Sequence, residues 1–279
     1  MADLIPPEPL ERPDGLLFDN GIGGFTPDGR EYVIHLAPGQ SSPAPWVNVI
    51  ANPRCGCVVS ELGGGYSWAE DSGENRLTPW RNDPVSDEPG EVLYLRDEET
   101  AAVWSPTPLP APAGSYQIRH GAGYTTFHHR SHGLDQLLRV FVAREDPVKI
   151  VQLRLTNRLN RPRRITATYY VEWVLGAARD GSEMFVIPEF DPDCQCILAR
   201  NPWKDDFAGR VAFVAASHNL HGLTGDRSEF LGRRGSYAHP AGLRAVGLTS
   251  AVRPGLVDLA VFQQHAAGSR IGKTGDNVE

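Results

Sequence analysis

Val151-Gln-Leu-Arg-Leu-Thr-Asn-Arg-Leu-Asn-Arg-Pro-Arg-Arg-Ile-Thr-Ala-Thr-Tyr-Tyr-Val-Glu-Trp173 decides the fold class. Val151, Leu153 and Leu155 interleave with Gln152, Arg154 and Thr156, so an extended chain here has one apolar and one polar face. The alternation resumes after Asn157–Arg164: Ile165, Ala167, Tyr169, Val171 and Trp173 share one face, and Thr166, Thr168, Tyr170 and Glu172 share the other. Two such runs across a short polar connection predict a long antiparallel hairpin. Arg158–Arg164, the only dense cationic run, is then its solvated turn.

Working outward, strand-like segments recur at Glu31–Leu36, Trp46–Ala51, Gly56–Ser60, Gly90–Arg96, Ser115–His120 and Tyr124–His129. Others follow at Gln195–Ala199, Arg210–Ala215 and Leu256–Phe262. The 29 glycines and 23 prolines among 279 residues punctuate the chain too often for long helices, and no amphipathic helix of three turns is present. The expectation is an all-β fold. Residues 1–17 are proline-rich and without periodicity, as in a linker; 18–262 form the domain; and 263–279 lose the pattern, as in an irregular or truncated tail.

A net charge of −7 gives nothing for a phosphate backbone or an anionic bilayer to attract, which argues against nucleic acid and direct membrane contact. The N-terminus has no cationic start followed by an apolar run, and no stretch approaches spanning length, so a cytoplasmic location is expected. The cysteines form two Cys-x-Cys pairs, Cys55/Cys57 and Cys194/Cys196. Without companion histidines at ligand spacing they read as free thiols in a reducing compartment, and no metal is expected.

Three loops combine aromatic with hydrogen-bonding residues: Gly63-Gly-Gly-Tyr-Ser-Trp68, Asn75–Asp83 with Trp80, Arg81 and Asn82, and Ala199-Arg-Asn-Pro-Trp203. Sugars favour such surfaces, because their C–H faces pack on flat rings while planar polar groups bond adjacent hydroxyls. Tryptophans that plug the ends of a sandwich give the same pattern. The carboxylates Glu189/Asp191, Glu74, Asp83 and Asp87 read as solvated turn residues. His128 and His129 are adjacent and point to opposite faces of a strand, so they do not share a metal, and His120 reads as structural or sugar-contacting.

Several separated motifs then carry a resemblance. Phe18-Asp-Asn-Gly-Ile-Gly-Gly-Phe-Thr-Pro-Asp-Gly-Arg-Glu-Tyr-Val-Ile34, Pro45-Trp-Val-Asn-Val-Ile-Ala-Asn-Pro53, Asn75–Asp87, Trp104-Ser-Pro-Thr107 and Arg119–Tyr124 resemble the cellobiose phosphorylase family (glycoside hydrolase family 94, formerly glycosyltransferase family 36). So do Tyr170-Val-Glu-Trp-Val-Leu-Gly176, Ala199-Arg-Asn-Pro-Trp203 and Thr224-Gly-Asp-Arg-Ser-Glu-Phe-Leu-Gly232. The likeness is strongest to the cyclic β-1,2-glucan synthase branch.

The resemblance implies a large antiparallel β-supersandwich, galactose mutarotase-like, that stands before a catalytic (α/α)6 barrel. In that family the catalytic aspartate and the attacking inorganic phosphate belong to the barrel, so it implies no catalytic residue and no cofactor in this chain, which alone would be inactive. It implies as partners a β-glucan or oligosaccharide, the barrel itself and a second copy in a homodimer. A loop that reaches the acceptor side of the partner's site falls near Arg179–Glu189, making Arg179 and Glu189 candidate sugar contacts beside Trp80, Arg81, Asn82 and His120. The local sequence Arg179-Asp-Gly-Ser-Glu-Met-Phe-Val-Ile-Pro-Glu189 departs from that of cellobiose phosphorylases.

Overall fold

The computed structural model describes residues 5, 7–204, 206–233 and 235–249, and the backbone of residues 259–265. Its strands form four antiparallel sheets. A six-stranded sheet has the order β1 (Gly23–Phe25), β2 (Glu31–Leu36), β8 (Tyr116–Gly121), β9 (Tyr124–Ser131), β10 (Leu134–Val142), β11 (Lys149–Asn157). A three-stranded sheet of β3 (Val47–Ala51), β4 (Cys55–Ser60) and β5 (Gly65–Ala69) packs on it. Ile34, Ile118, Phe127 and Leu138 meet Ile50, Cys57 and Val59 in that core.

The five-stranded sheet has the order β16 (Gly222–Thr224), β17 (Leu259–His265), β12 (Ile165–Glu172), β6 (Glu91–Asp97), β7 (Val103–Trp104). A second three-stranded sheet comprises β13 (Ile187–Asp191), β14 (Cys196–Arg200) and β15 (Ala212–Ala215). Among the described residues the only α-helix is α1 (Arg227–Phe230), capped by the Asp226 carboxylate, which accepts from the backbone N–H groups of Ser228 and Glu229.

Both halves of the deciding stretch are strands, but they do not pair. β11 pairs with β10, whereas β12 pairs with β6 and β17. The connection therefore crosses between sheets, and Leu155, Ile165 and Ala167 meet Leu95, Trp104 and Leu134 in the seam. The cause lies in the arginines. Arg163 is 2% exposed and donates to the Asp97 carboxylate and the His132 carbonyl, joining the end of β6 to the β9–β10 turn. A solvated hairpin turn would leave that guanidinium in water. Arg158 and Arg161 pair with Glu8 and Glu99.

β12 is buried on both faces. Val171 and Trp173 pack toward Ile197 and Ala199 of β14, while Tyr170 packs on the opposite side against Phe230 and Tyr237. The face that reads as polar is thus roofed by α1 and the segment after it, and Glu172 has no exposed surface.

Part of the proline-rich start is held on the body. Leu10 is buried, its N–H donates to the Ser115 hydroxyl, and its carbonyl lies 2.9 Å from His35 Nε2. The last strand runs over 259–265, so residues 256–258 of the expected strand and residues 266–279 of the expected tail lie outside the described residues. Among the described residues no helix is long and apolar enough to cross a membrane.

Candidate functional site

The C-terminal end of β12 organises the loops singled out for their chemistry. The backbones of Arg76 and Gly176 exchange N–H···O bonds of 3.0 and 3.1 Å, and Asn201 Nδ2 donates to the Leu175 carbonyl at 3.1 Å. Lys204 reaches Glu74 at 3.1 Å. Loops 75–83, 176–186 and 199–204 are therefore stitched into one surface around the strand end.

Beneath it lies Glu172. Its Oε1 is 2.5 Å from Arg179 Nε, and its Oε2 accepts the Tyr237 hydroxyl at 2.6 Å and the Tyr170 hydroxyl at 3.1 Å. Arg81 Nη2 approaches the same oxygen at 3.6 Å and donates to the Tyr237 hydroxyl, while Arg81 Nη1 pairs with Glu88 at 3.1 Å. A carboxylate taken out of water needs compensating charge and hydrogen bonds, which two guanidiniums and two phenols supply here. Burial first, and then the Glu172 charge, push the Tyr170 and Tyr237 hydroxyls up from their ordinary value, so both stay protonated as donors.

The loop after Arg179 carries Phe185 into a face-to-face stack with Trp203, centroids 4.8 Å apart and planes 8° from parallel. Trp203 is 71% exposed and Met184 beside Phe185 is 72% exposed. A flat ring buttressed from one side and open on the other is the surface on which a sugar's C–H face packs.

The expected site residues divide accordingly. Arg81 and Arg179 meet on Glu172. Trp80 stands apart in a row with Tyr66, 5.1 Å away, and Tyr66 lies 5.3 Å from Trp68. Asn82 is exposed in the left-handed region, with φ 49°. Glu189 lies on β13 rather than in a loop, half-exposed and paired with Arg200 at 2.5 Å, away from the Glu172 cluster.

His120 is committed within the six-stranded sheet. Its Nε2 donates to the Trp46 carbonyl at 3.1 Å, leaving Nδ1 to accept the Thr125 hydroxyl at 3.0 Å, and burial pushes its pKa down. Both ring nitrogens are thus occupied within the fold.

The remaining candidates are hydrogen-bonded within the fold, and Asp87, expected as a solvated turn residue, is buried against Ser60. Asp83 accepts from the Val85 N–H and the Ser86 hydroxyl, Asp191 from the Asp193 and Cys194 N–H groups, and buried Asp87 from the Ser60 hydroxyl. His128 pairs with Asp135 and His129 with the Ser115 carbonyl. Cys55 and Cys57 are buried thiols as expected, but Cys194 and Cys196 are joined in a disulfide with Cα atoms 5.4 Å apart. The turn at left-handed Gln195 brings the two together, which an extended strand would not do.

A second buried polar cluster lies between the sheets. Glu91 accepts from Lys149 Nζ at 2.8 Å, Ser67 at 2.5 Å, Tyr169 at 2.6 Å and Thr78 at 3.0 Å. Burial pushes the Glu91 pKa up, but the Lys149 charge and these donors outweigh it and hold it at about 2.

Antiparallel sheets packed in layers around a two-sided central strand fit the supersandwich class. The chain belongs to the family described as "Glycosyl hydrolase 94, supersandwich domain", whose model matches residues 30–266. It is similar to cyclic beta-(1,2)-glucan synthase NdvB of Rhizobium meliloti (strain 1021), 40% identical over 225 residues that cover 80% of this chain and 8% of the relative. It is also similar to an N,N'-diacetylchitobiose phosphorylase of Vibrio furnissii, 29% identical over 78% of this chain and 28% of the relative. A solabiose phosphorylase of Paenibacillus borealis is 31% identical over 79% and 29%. The chain thus spans less than a third of the length of each.

Proposed function

We propose that this chain is the carbohydrate-binding and dimer-forming N-terminal domain of a β-glucan phosphorylase or cyclic β-1,2-glucan synthase-like enzyme. In the whole protein the reaction is glycosyl transfer to, or phosphorolysis of, β-1,2-glucan, and this domain works in the cytoplasm. Catalysis and phosphate binding belong to an (α/α)6 barrel outside these residues, so the chain alone is inactive. The observation that carries the reading is the open Phe185–Trp203 stack, formed between two of the three stitched loops, one of which also anchors Arg179 on Glu172. Titration with β-1,2-glucan followed by tryptophan emission tests it: a saturable change is expected. None, even with the barrel added as a separate chain, rejects a substrate-contacting role.

One observation favours a second reading, in which the domain only supports the barrel and builds the dimer. Arg179 is already engaged by Glu172, and Glu189 by Arg200. Arg179→Ala and Glu189→Ala in the assembled enzyme separate the two. Lost acceptor affinity with an intact dimer supports sugar contact, and a lost dimer with unchanged acceptor kinetics supports the structural role.

A further inference from the structure

The turn that joins β13 to β14 gathers three groups that ligate soft metals. Asp191, Cys194 and Cys196 each bring one ligand atom, a carboxylate oxygen and two sulfurs, and the three atoms lie within 4.8 Å of one another. Among the described residues no other trio of His, Cys, Asp or Glu meets at this spacing. Tetrahedral zinc holds thiolates at about 2.3 Å and carboxylate oxygens at about 2.0–2.2 Å, which sets its ligand atoms about 3.6–3.8 Å apart. Rotation about the Cα–Cβ bonds brings the trio to that spacing.

The turn is shaped by bonds that do not involve sulfur. Asp191 and Cys196 face one another as the last pair of the β13–β14 ladder. Between them Asp191 Oδ1 accepts the Asp193 N–H at 2.9 Å and the Cys194 N–H at 3.3 Å, and Gln195 Nε2 donates to the Pro192 carbonyl at 3.2 Å. All of these survive when the disulfide is reduced, so the three ligands stay assembled in the dithiol form. Both backbone bonds fall on Oδ1, which leaves Asp191 Oδ2 to face a metal. Asp191 is thus the companion ligand that the spacing of the cysteines alone does not reveal.

The other Cys-x-Cys pair is unsuited to the task. Cys55 and Cys57 are buried, and burial pushes the Cys57 thiol up to about 11, against the thiolate that a metal requires. Cys194 is exposed and Asp191 half-buried, so a hydrated ion can reach them.

We propose that Asp191, Cys194 and Cys196 form a zinc site that exists only when the disulfide is reduced, with water as the fourth ligand. Two molecules of a small thiol pass two electrons and two protons to the Cys194–Cys196 bond and are themselves oxidised to one disulfide. Zinc then takes both sulfurs as thiolates, and the two protons go to solvent. Disulfide and metal claim the same sulfurs, so each state excludes the other. Three protein ligands are the number found in open zinc sites, where water completes the tetrahedron.

The probe is Cd2+, whose thiolate bonds absorb in the ultraviolet, titrated into the full chain after reduction by a phosphine and removal of the reductant. A thiolate-to-metal band that saturates at one ion per chain is expected, and the unreduced chain should give none. Asp191→Asn should weaken binding by at least the about 10–100-fold that loss of an outer-shell partner costs. Cys194→Ser/Cys196→Ser, which keeps Cys55 and Cys57, should remove the band while the circular dichroism of the parent is retained. No band in the reduced chain overturns the proposal. So does a band that survives the double substitution, which places the metal on Cys55 and Cys57, one that saturates at one ion for two chains, which places it between copies, or an affinity unchanged by Asp191→Asn.

Discussion

Arg179 Nε lies 2.5 Å from Glu172 Oε1, so a surface loop is anchored to a carboxylate that has no exposed surface of its own. Glu172→Ala leaves two guanidiniums and two phenols around an empty position. Removing one partner of a buried ion pair costs about 3–5 kcal/mol. Urea unfolding should show a loss of that size, and trypsin should cut after Arg179 faster than in the parent chain. Glu172→Gln retains acceptors for the tyrosines and should lose less.

The Lys149–Glu91 pair should behave as a coupled unit. Either Lys149→Met or Glu91→Gln alone strands a buried charge, at about 3–5 kcal/mol each, whereas the double variant strands none. A double-mutant cycle by urea unfolding should return a loss for the pair well below the sum of the singles.

Stability should fall on acidification before the carboxylates titrate. Burial pushes His129 down to about 4, against an ordinary value of 6.5, so between these limits the unfolded chain binds the proton and the folded one does not. Stability contributed here is complete above pH 6.5 and is lost as pH falls toward 4, by about 3 kcal/mol at most. His129→Phe retains a ring against Tyr116, whose centroid lies 4.1 Å away, and should lessen the fall of the urea midpoint between pH 7 and 4.5, the remainder coming from His132, which burial also pushes down to about 4. Below pH 4.5 the Glu91 carboxylate adds a further loss as it protonates toward its folded value of about 2.

Trp203→Ala should be nearly silent in stability, within about 0.5 kcal/mol, because the ring is mostly exposed. The same change should abolish the emission response to β-1,2-glucan. A retained response would place the sugar elsewhere, with Trp80 and Tyr66 the next surface to test.

Strand positions were largely legible in the sequence; partnerships were not. Glu31–Leu36 coincides with β2, and Tyr124–His129 falls within β9. β10 gave no clear signal because Gln136 occupies an inward position between Leu134 and Leu138, where it accepts the Trp104 indole N–H at 2.9 Å. The β11–β12 pairing was misread because alternation reports which way side chains point and not which strand lies alongside. The arginines between them look like a polar turn until Asp97, far away in sequence, is brought next to Arg163. At the site, the aromatic loops and both arginines were visible as residue types. The Glu172 hub was hidden: Tyr237 and α1, which roof it, belong to a stretch with no periodic pattern.

β12 has consequences for how the chain is made. Thr166 is aligned with Arg96 on one side and His265 on the other, so its sheet needs partners from far upstream and far downstream. Contacts of such long sequence separation slow folding, because loop closure must be achieved before any pairing rewards it. On a ribosome, β12 would emerge beside a waiting β6 with its other edge uncovered, and that edge would stay open to other chains until residue 265 had been synthesised.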